Sequence, residues 1–336
     1  MSPQFEGFRR TAVGGSWLGR LFRGFGRCSN PKAVEAAVRY LAACDFATLP
    51  ARPILVETAG GVLETLMLFG RRKAAERLAA WLRMQQQPDG SLSTSKLPEH
   101  VFQATAGAVR GWMATYPEMN TYDSCAEKAA RFLRDWVASD GRLVPPSNRP
   151  WSRPEGTLFR ATPDLYALLA AGRRWPETDW TSAALRAVEW WIGHPHANPI
   201  PERTDLLAQA IVRFLEWGKR KAAEPAVALL RERQGRNGGF ERSDGETASA
   251  VALGWAALAW FRLGEDLLGE AVFQRLEAMQ RPDGGFLAAE GGERYSAIRL
   301  TAAKLFLDAA FARVECGFEK VEQRESLEAN DPRVQA

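Results

Sequence analysis

The sequence QQPDGSL at residues 86–92 recurs as QGRNGGF at 234–240 and as QRPDGGF at 280–286. All three follow the pattern Gln-x-x-x-Gly-x-(Leu/Phe), and each comes after a stretch in which apolar residues have helical spacing. A weaker copy, SDGRL, occupies 139–143. Asp-Gly and Asn-Gly pairs are typical of helix ends, because glycine readily adopts the left-handed conformation that terminates a helix. The pattern therefore marks a series of similar helix ends.

The spacing of these turns predicts a repeat. Asp89 and Asp140 are 51 residues apart, and Asn237 and Asp283 are 46 apart. The 97 residues between Asp140 and Asn237 leave room for one more turn, and the divergent sequence WWIGHPHANP at 190–199 stands there. A period of this length is typical of stacked helical units. We also expect each turn glutamine to cover the free carbonyl groups of the helix that it ends.

Two kinds of helix alternate along the chain. Those before each turn carry a charged face, as in 71–77, whereas those after it are apolar nearly all round, as in 247–261. A helix that is apolar on every face is buried on every face. We therefore predict an all-α fold, an (α/α)6-like double-layered toroid of about twelve helices. The inner helices are expected to begin near residues 55, 100, 160, 203, 246 and 294.

Composition limits the class of protein. Of the 336 residues, 46% are hydrophobic and 25% are charged, which excludes a disordered chain or a coiled coil. The net charge of +4 is too small for a dedicated nucleic-acid binder, so we expect no nucleic-acid partner. Four widely spaced cysteines and three histidines favour a reducing, cytoplasmic location without a metal site or cofactor.

The chain is divided by composition into three parts. We predict a basic N-terminal arm at 1–28, the toroid at 29–315 and a charged, disordered tail at 316–336. Residues 17–25 mix arginine with aromatic and aliphatic side chains. This stretch is either a flexible arm or a peripheral contact with an anionic membrane.

The Gln-x-x-x-Gly-x-aromatic turns resemble the repeat of squalene and terpene cyclases and of protein prenyltransferase β subunits, which are α/α toroids. Within that superfamily, three segments resemble the cyclase-like proteins of bacterial surface-polysaccharide biosynthesis clusters. They are ETAGG at 57–61, VFQATAG at 101–107 and AAKLFLDA at 302–309. The chain departs from that family at Gly61, where an aromatic residue is expected, and at Asp205, where a histidine is expected.

The best-known activities of the superfamily lack their motifs here. The sequence contains no Asp-x-Asp-Asp acid cluster for substrate protonation and no Asp-Asp-x-x-Asp magnesium site for ionisation of a diphosphate. None of the cysteines begins a zinc-ligand pattern. Lys304 and Asp308 lie four residues apart in an apolar helix, a spacing that predicts a partly buried ion pair.

The alternation of outer and inner helices predicts where the candidate site lies. Each turn leads from an outer helix into an inner one, so all inner N-termini should surround one mouth, where their dipoles favour anions. Candidate acid–base residues at this mouth are Glu57, Asp205, Glu246 and Tyr295. Candidate ligand-binding residues are Thr58, His100, Gln103, Trp151, Arg160, Asp164, Tyr166, Arg203, Thr247 and Arg299.

The resemblance and the mouth together predict a function. We expect the protein to process a glycan, a nucleotide sugar or a glycolipid intermediate of bacterial surface-polysaccharide biosynthesis, by lysis, hydrolysis or epimerisation. Two alternatives stay open. One is a non-catalytic toroid that binds a ligand or a protein, and the other is an isoprenoid cyclase-like enzyme without the Asp-x-Asp-Asp motif.

Overall fold

A computed structural model describes residues 30–49, 53–92, 95–116, 118–147, 161–196, 198–240, 249–286 and 296–329. Within these ranges the chain forms α1 (Pro31–Ala42), α2 (Pro53–Leu68), α3 (Arg72–Gln85), α4 (Pro98–Ala114), α5 (Asp123–Arg134), α6 (Tyr166–Arg174), α7 (Trp180–Gly193), α8 (Thr204–Glu216), α9 (Arg220–Arg233), α10 (Ala250–Leu263), α11 (Asp266–Ala278) and α12 (Ala297–Ala329).

The helices form two concentric layers, which confirms the predicted all-α toroid. Odd-numbered helices lie outside, and even-numbered helices lie inside and pack on one another as well as on the outer layer, as α2 does on α4 and α10 does on α12. Aromatic side chains fill the space between the layers. Phe273 of α11 stacks on Phe306 of α12 with 4.9 Å between ring centroids, and Phe286 adds a contact at 5.3 Å.

Each turn glutamine joins its own outer helix to the next one. The side-chain amide of Gln86 donates to the Cys125 carbonyl in the first turn of α5 (2.9 Å), and that of Gln280 donates to the Ala33 carbonyl in α1 (2.9 Å). Gln234 makes the same bond to Leu268 of α11 (3.2 Å). The bond to α1 closes the ring. Our expectation that these amides cover their own helix was therefore wrong.

The turn glycines explain why the glutamines reach the next helix. Gly284 has a φ of 87°, and a Cβ atom there would collide with the carbonyl of Ala36 in α1. Only glycine allows both this backbone conformation and this close approach. The turn therefore lies directly against the neighbouring outer helix, within reach of its first-turn carbonyl. We call this combination of glutamine bond and glycine packing the turn contact.

The inner helices α2 and α4 approach each other unusually closely. A Cβ atom at Gly60 would overlap the backbone of Gly107, and one at Gly111 would lie 2.7 Å from the carbonyl oxygen of Gly60. Three glycines on facing surfaces thus set the distance between two walls of the inner ring.

The start of α6 differs most from the prediction. Five inner helices begin within a few residues of the expected positions, but α6 begins at Tyr166 rather than near Arg160. Pro163 supplies the reason, since proline lacks an N–H and disfavours helical backbone in the residue before it. The last helix continues to Ala329, past residue 315 where we placed the end of the toroid. The proposed arm at 1–28 lies outside the described residues.

None of the helices in the described part of the chain is both long and apolar enough to cross a membrane.

We predict that Gly60→Ala destabilises the protein by about 1–3 kcal/mol, because the added methyl group forces α2 away from α4. Gly193→Ala is the matched control, since this glycine also lies in a helix but has open space around its Cα. The control should be neutral or slightly stabilising. Thermal unfolding of both variants gives the comparison, and equal effects would contradict the close approach.

Candidate active site

Charged side chains from several inner helices meet in the lumen of the inner ring. Arg110 of α4 lies 3.1 Å from Glu64 of α2, 3.3 Å from Asp164 and 3.0 Å from Glu216 of α8. Arg213 of α8 lies 2.8 Å from Asp164 and 2.7 Å from Glu216. These contacts link four parts of the chain that are far apart in sequence.

Arg262 of α10 completes this cluster, which we call the lumen network. Its guanidinium lies 3.2 Å from Glu216. The Glu216 side chain, which is only 3% exposed, thus accepts hydrogen bonds from three arginines. Burial alone would raise the pKa of Glu216, but Arg110, Arg213 and Arg262 lower that pKa far below its usual range. Glu216 is therefore ionised at neutral pH.

The network is not sealed from solvent. The side chains of Glu64 and Arg262 remain 34% and 29% exposed, although both point from inner helices into the cluster. Buried ion pairs contribute little more to stability than apolar side chains of similar volume. Within the described ranges, no three His, Cys, Asp or Glu side chains are grouped as metal ligands.

A second polar group links α2 to α12. The predicted ion pair between Lys304 and Asp308 is confirmed, and Thr65 of α2 donates to Asp308 at 3.0 Å. Gly61 makes room for it, because a Cβ atom there would overlap the Lys304 side chain. This explains why glycine stands where the family resemblance suggested an aromatic residue.

Gln103 positions Asp164 for the network. Its amide nitrogen donates to the Thr162 carbonyl at 3.2 Å, and its oxygen accepts from the Asp164 N–H at 3.2 Å. The segment in front of α6 is thereby held in place although Pro163 prevents it from being helical. Gln103, a predicted ligand-binding residue, is thus bonded to the protein itself.

Two half-buried aromatic rings lie beside the charges. The guanidinium of Arg110 lies 5.2 Å from the ring centroid of Tyr166. Trp255 of α10 lies 5.9 Å from Arg213 and 6.0 Å from the Lys304 ammonium group. These rings supply apolar surface beside the charged side chains of the network.

Glu57 is an acid of the inner ring that lies outside the lumen network. It lies two turns before Glu64 on the same face of α2, and no hydrogen-bond partner for its carboxyl group is found among the described residues. Burial raises the pKa of Glu57 to about 7; Arg213 opposes this rise, and Asp164 and Glu99 add to it. Near neutral pH, this carboxyl group is therefore present in both its acid and its base form.

Other predicted site residues are arranged differently. Arg203 and Asp205 pair with each other at 2.6 Å at the start of α8, where the Arg203 side chain is 73% exposed. Thr58 bonds to Thr301 at 3.0 Å. Arg299 is buried and has no acidic partner in the described part of the chain. His100 is half-buried at the start of α4. Trp151, Arg160, Glu246, Thr247 and Tyr295 lie outside the described residues, and the roles assigned to all these residues stay predictions.

Sequence reasoning missed most of the network. A signal was present in the spacing, because charged or aromatic residues follow the first-turn candidates at seven-residue intervals on the same helix face. Glu64 follows Glu57, and Arg110 follows Gln103. The residues that were missed are the aromatic Trp255 and the network members Glu64, Arg110, Arg213, Glu216 and Arg262.

No protein-family model and no curated protein matches this chain. Among solved structures, two variants of the type II terpene cyclase MstE from Scytonema, in complex with the substrate geranylgeranyl dihydroxybenzoate, are similar to it. Each is 14% identical and covers 88% of this chain and 99% of its own, with TM-scores of 0.60 and 0.61. The apo form of that cyclase has a TM-score of 0.56 at 15% identity, covering 84% of this chain and 98% of its own.

The chain has the fold of a type II terpene cyclase. This confirms the predicted squalene and terpene cyclase-like fold, whereas nothing supports the resemblance to proteins of polysaccharide clusters. The prediction of glycan processing was wrong, because the similar structures named above are those of a terpene cyclase, two of them with a prenylated substrate. It rested on short matching segments, which lie in α2, α4 and α12 and determine helix packing.

We predict that Glu57 makes stability fall as pH rises. The unfolded chain loses this proton at about its ordinary pKa of 4.5, whereas the folded protein keeps it until about 7, so stability declines between these values and levels off above them. In Glu57→Gln this decline should be smaller, while the exposed control Glu224→Gln should keep it. Melting temperatures from pH 4 to 9 provide the test; identical profiles for all three proteins would contradict the raised pKa.

Proposed function

We propose that this chain binds an isoprenoid lipid in the lumen and that Glu57 is the proton donor to it. The observation that carries the proposal is a carboxyl group with a pKa near 7 and no described hydrogen-bond partner, on the wall of a lumen that also holds two aromatic rings. General acids work best when their pKa lies near the working pH. The ligand type is suggested by the cyclases that share the fold.

The strength of this acid limits the substrate. A carboxyl group with a pKa near 7 protonates an oxygen much more readily than an isolated carbon–carbon double bond. We therefore propose an isoprenoid that carries an epoxide, a carbonyl or an allylic hydroxyl group. The proton moves from the Glu57 carboxyl to this oxygen, and the carbon–oxygen bond breaks as a double bond of the same chain supplies the electrons for a new carbon–carbon bond. An epoxide or the π bond of a carbonyl thereby becomes a hydroxyl group that stays on the product, whereas an allylic hydroxyl group leaves as water. The proton that the resulting cation loses balances the one donated.

The surroundings of Glu57 suit both forms of this group. Burial favours the neutral acid before transfer, and the nearby Arg213 guanidinium stabilises the carboxylate that remains afterwards. The rings of Tyr166 and Trp255 already lie next to cationic side chains. Aromatic faces stabilise positive charge, so these rings also suit a cation that forms on the substrate.

We predict that geranylgeranyl dihydroxybenzoate and a terminal geranylgeranyl epoxide stabilise the protein, whereas acidic oligosaccharides do not. A ligand at a hundred times its Kd adds about 2.7 kcal/mol of stability, which thermal unfolding detects readily. If neither prenyl compound binds, the proposal is wrong.

We also predict that Glu57→Gln still binds the epoxide but converts it at least about a hundredfold more slowly, since general acids contribute about 10²–10⁴ to the rate. Cyclisation leaves the mass unchanged, so isomers are resolved by gas chromatography with mass spectrometry. Wild-type turnover should fall as pH rises through about 7, where Glu57 loses its proton. Glu224→Gln is the control. Equal turnover in both variants would remove Glu57 from this role.

A further inference from the structure

The six helix pairs are not joined in the same way around the ring. Turn contacts connect α3 to α5, α9 to α11 and α11 to α1. From α5 to α7 the glycine packing is present without the glutamine bond, since a Cβ atom at Gly141 would lie 2.5 Å from the Arg186 carbonyl oxygen of α7 and Val137 stands in place of the glutamine. Between α1 and α3, Arg77 donates to the Ala42 carbonyl at 3.1 Å. Among the described residues, no turn contact connects α7 to α9.

Among the described residues, the inner helices are also packed least closely at this place. Neighbouring inner helices pack on one another along α8–α10–α12–α2–α4–α6, but α6 and α8 are not among the closely packed pairs of the described residues. The short length of α6 contributes to this, since it has nine residues where α10 has fourteen. Less helix surface is therefore available to pack against α8.

Charged contacts hold this interface. Asp164, just before α6, pairs with Arg213 of α8. Arg110 of α4, the inner helix that packs on the other side of α6, pairs with Glu216 of α8. In the outer layer, Glu189 of α7 pairs with Lys219 at the start of α9. We call this boundary, between α6–α7 on one side and α8–α9 on the other, the ionic interface.

An interface of this kind separates at lower cost than an apolar one. When ion pairs part, water hydrates both charges and offsets the lost attraction. When apolar side chains part, their surface becomes exposed and nothing offsets the loss. Every other neighbouring pair of inner helices would have to expose apolar surface to separate.

We propose that the ring opens at the ionic interface and that the ligand of the lumen enters between α6 and α8. The first half of the proposal depends on the fold alone, and the second half rests on the proposed function. The opening would lead directly to Arg213, Asp164 and Tyr166, which line the lumen on both sides of this interface.

Hydrogen exchange tests the opening without any ligand. Residues 167–174 of α6 and 207–214 of α8 are almost all as buried as residues 252–260 of α10. We expect the amides of the first two segments to exchange at least about tenfold faster than those of α10. Equal exchange in all three segments would overturn the proposal.

A chemical cross-link tests the opening and the route together. The ionic interface can be bridged by a short bis-maleimide that joins two introduced cysteines, Glu189→Cys and Lys219→Cys. The other reactive cysteines are removed by Cys28→Ser and Cys316→Ser. Arg231→Cys with Glu265→Cys is the matched control. This native pair, 2.7 Å apart, likewise joins the C-terminal part of one outer helix to the residue just before the next, at the α9–α11 boundary, which has a turn contact.

The interface cross-link should slow exchange in α6 and α8 to the rate of α10 and slow association of geranylgeranyl dihydroxybenzoate at least tenfold, whereas the control cross-link should do neither. Slower exchange with unchanged association would overturn the route but not the opening. If the prenyl compound does not bind even the uncross-linked protein, the proposed function and the route both fail, and exchange alone decides the opening.

Discussion

The hydrogen bond from each turn glutamine to the first turn of the next outer helix is the contact on which the rest of this structure depends. Together with a glycine that lets the turn touch that helix, it converts a row of helix pairs into a ring, and Gln280 closes the ring on α1. A closed ring has a lumen. The lumen is where charged side chains of helices that are distant in sequence are forced together and away from bulk water.

The chemistry of the lumen follows from its charge balance. Arg110, Arg213 and Arg262 face Glu64, Asp164 and Glu216, so the network has equal numbers of positive and negative charges. Glu57 is an additional acid that forms no ion pair with the network among the described residues, and burial favours its protonated form over the opposing effect of Arg213. The same balance makes the network suitable for an interface that separates, because each side keeps charges that water can hydrate.

The fold could be predicted from the sequence because the patterns that specify it are local. A turn glutamine, a glycine two residues before an apolar side chain and an uncharged helix are all visible within a few residues. The lumen network was not predictable in this way, since its bonds join residues as far apart as Arg110 and Glu216, 106 positions along the chain. Glu57 was chosen for its place at the mouth, but the cause of its raised pKa required the packed structure. The glycan prediction failed because the segments behind it encode helix packing and not the chemistry of a ligand.

A crystal structure with bound geranylgeranyl dihydroxybenzoate tests the central claim most directly, namely that the lumen is the ligand site and Glu57 its acid. The account predicts that the prenyl chain lies in the lumen in contact with the rings of Tyr166 and Trp255, with part of the ligand next to the Glu57 carboxyl group. A ligand bound outside the inner ring, or a lumen filled by side chains with Glu57 bonded to the protein, would contradict it.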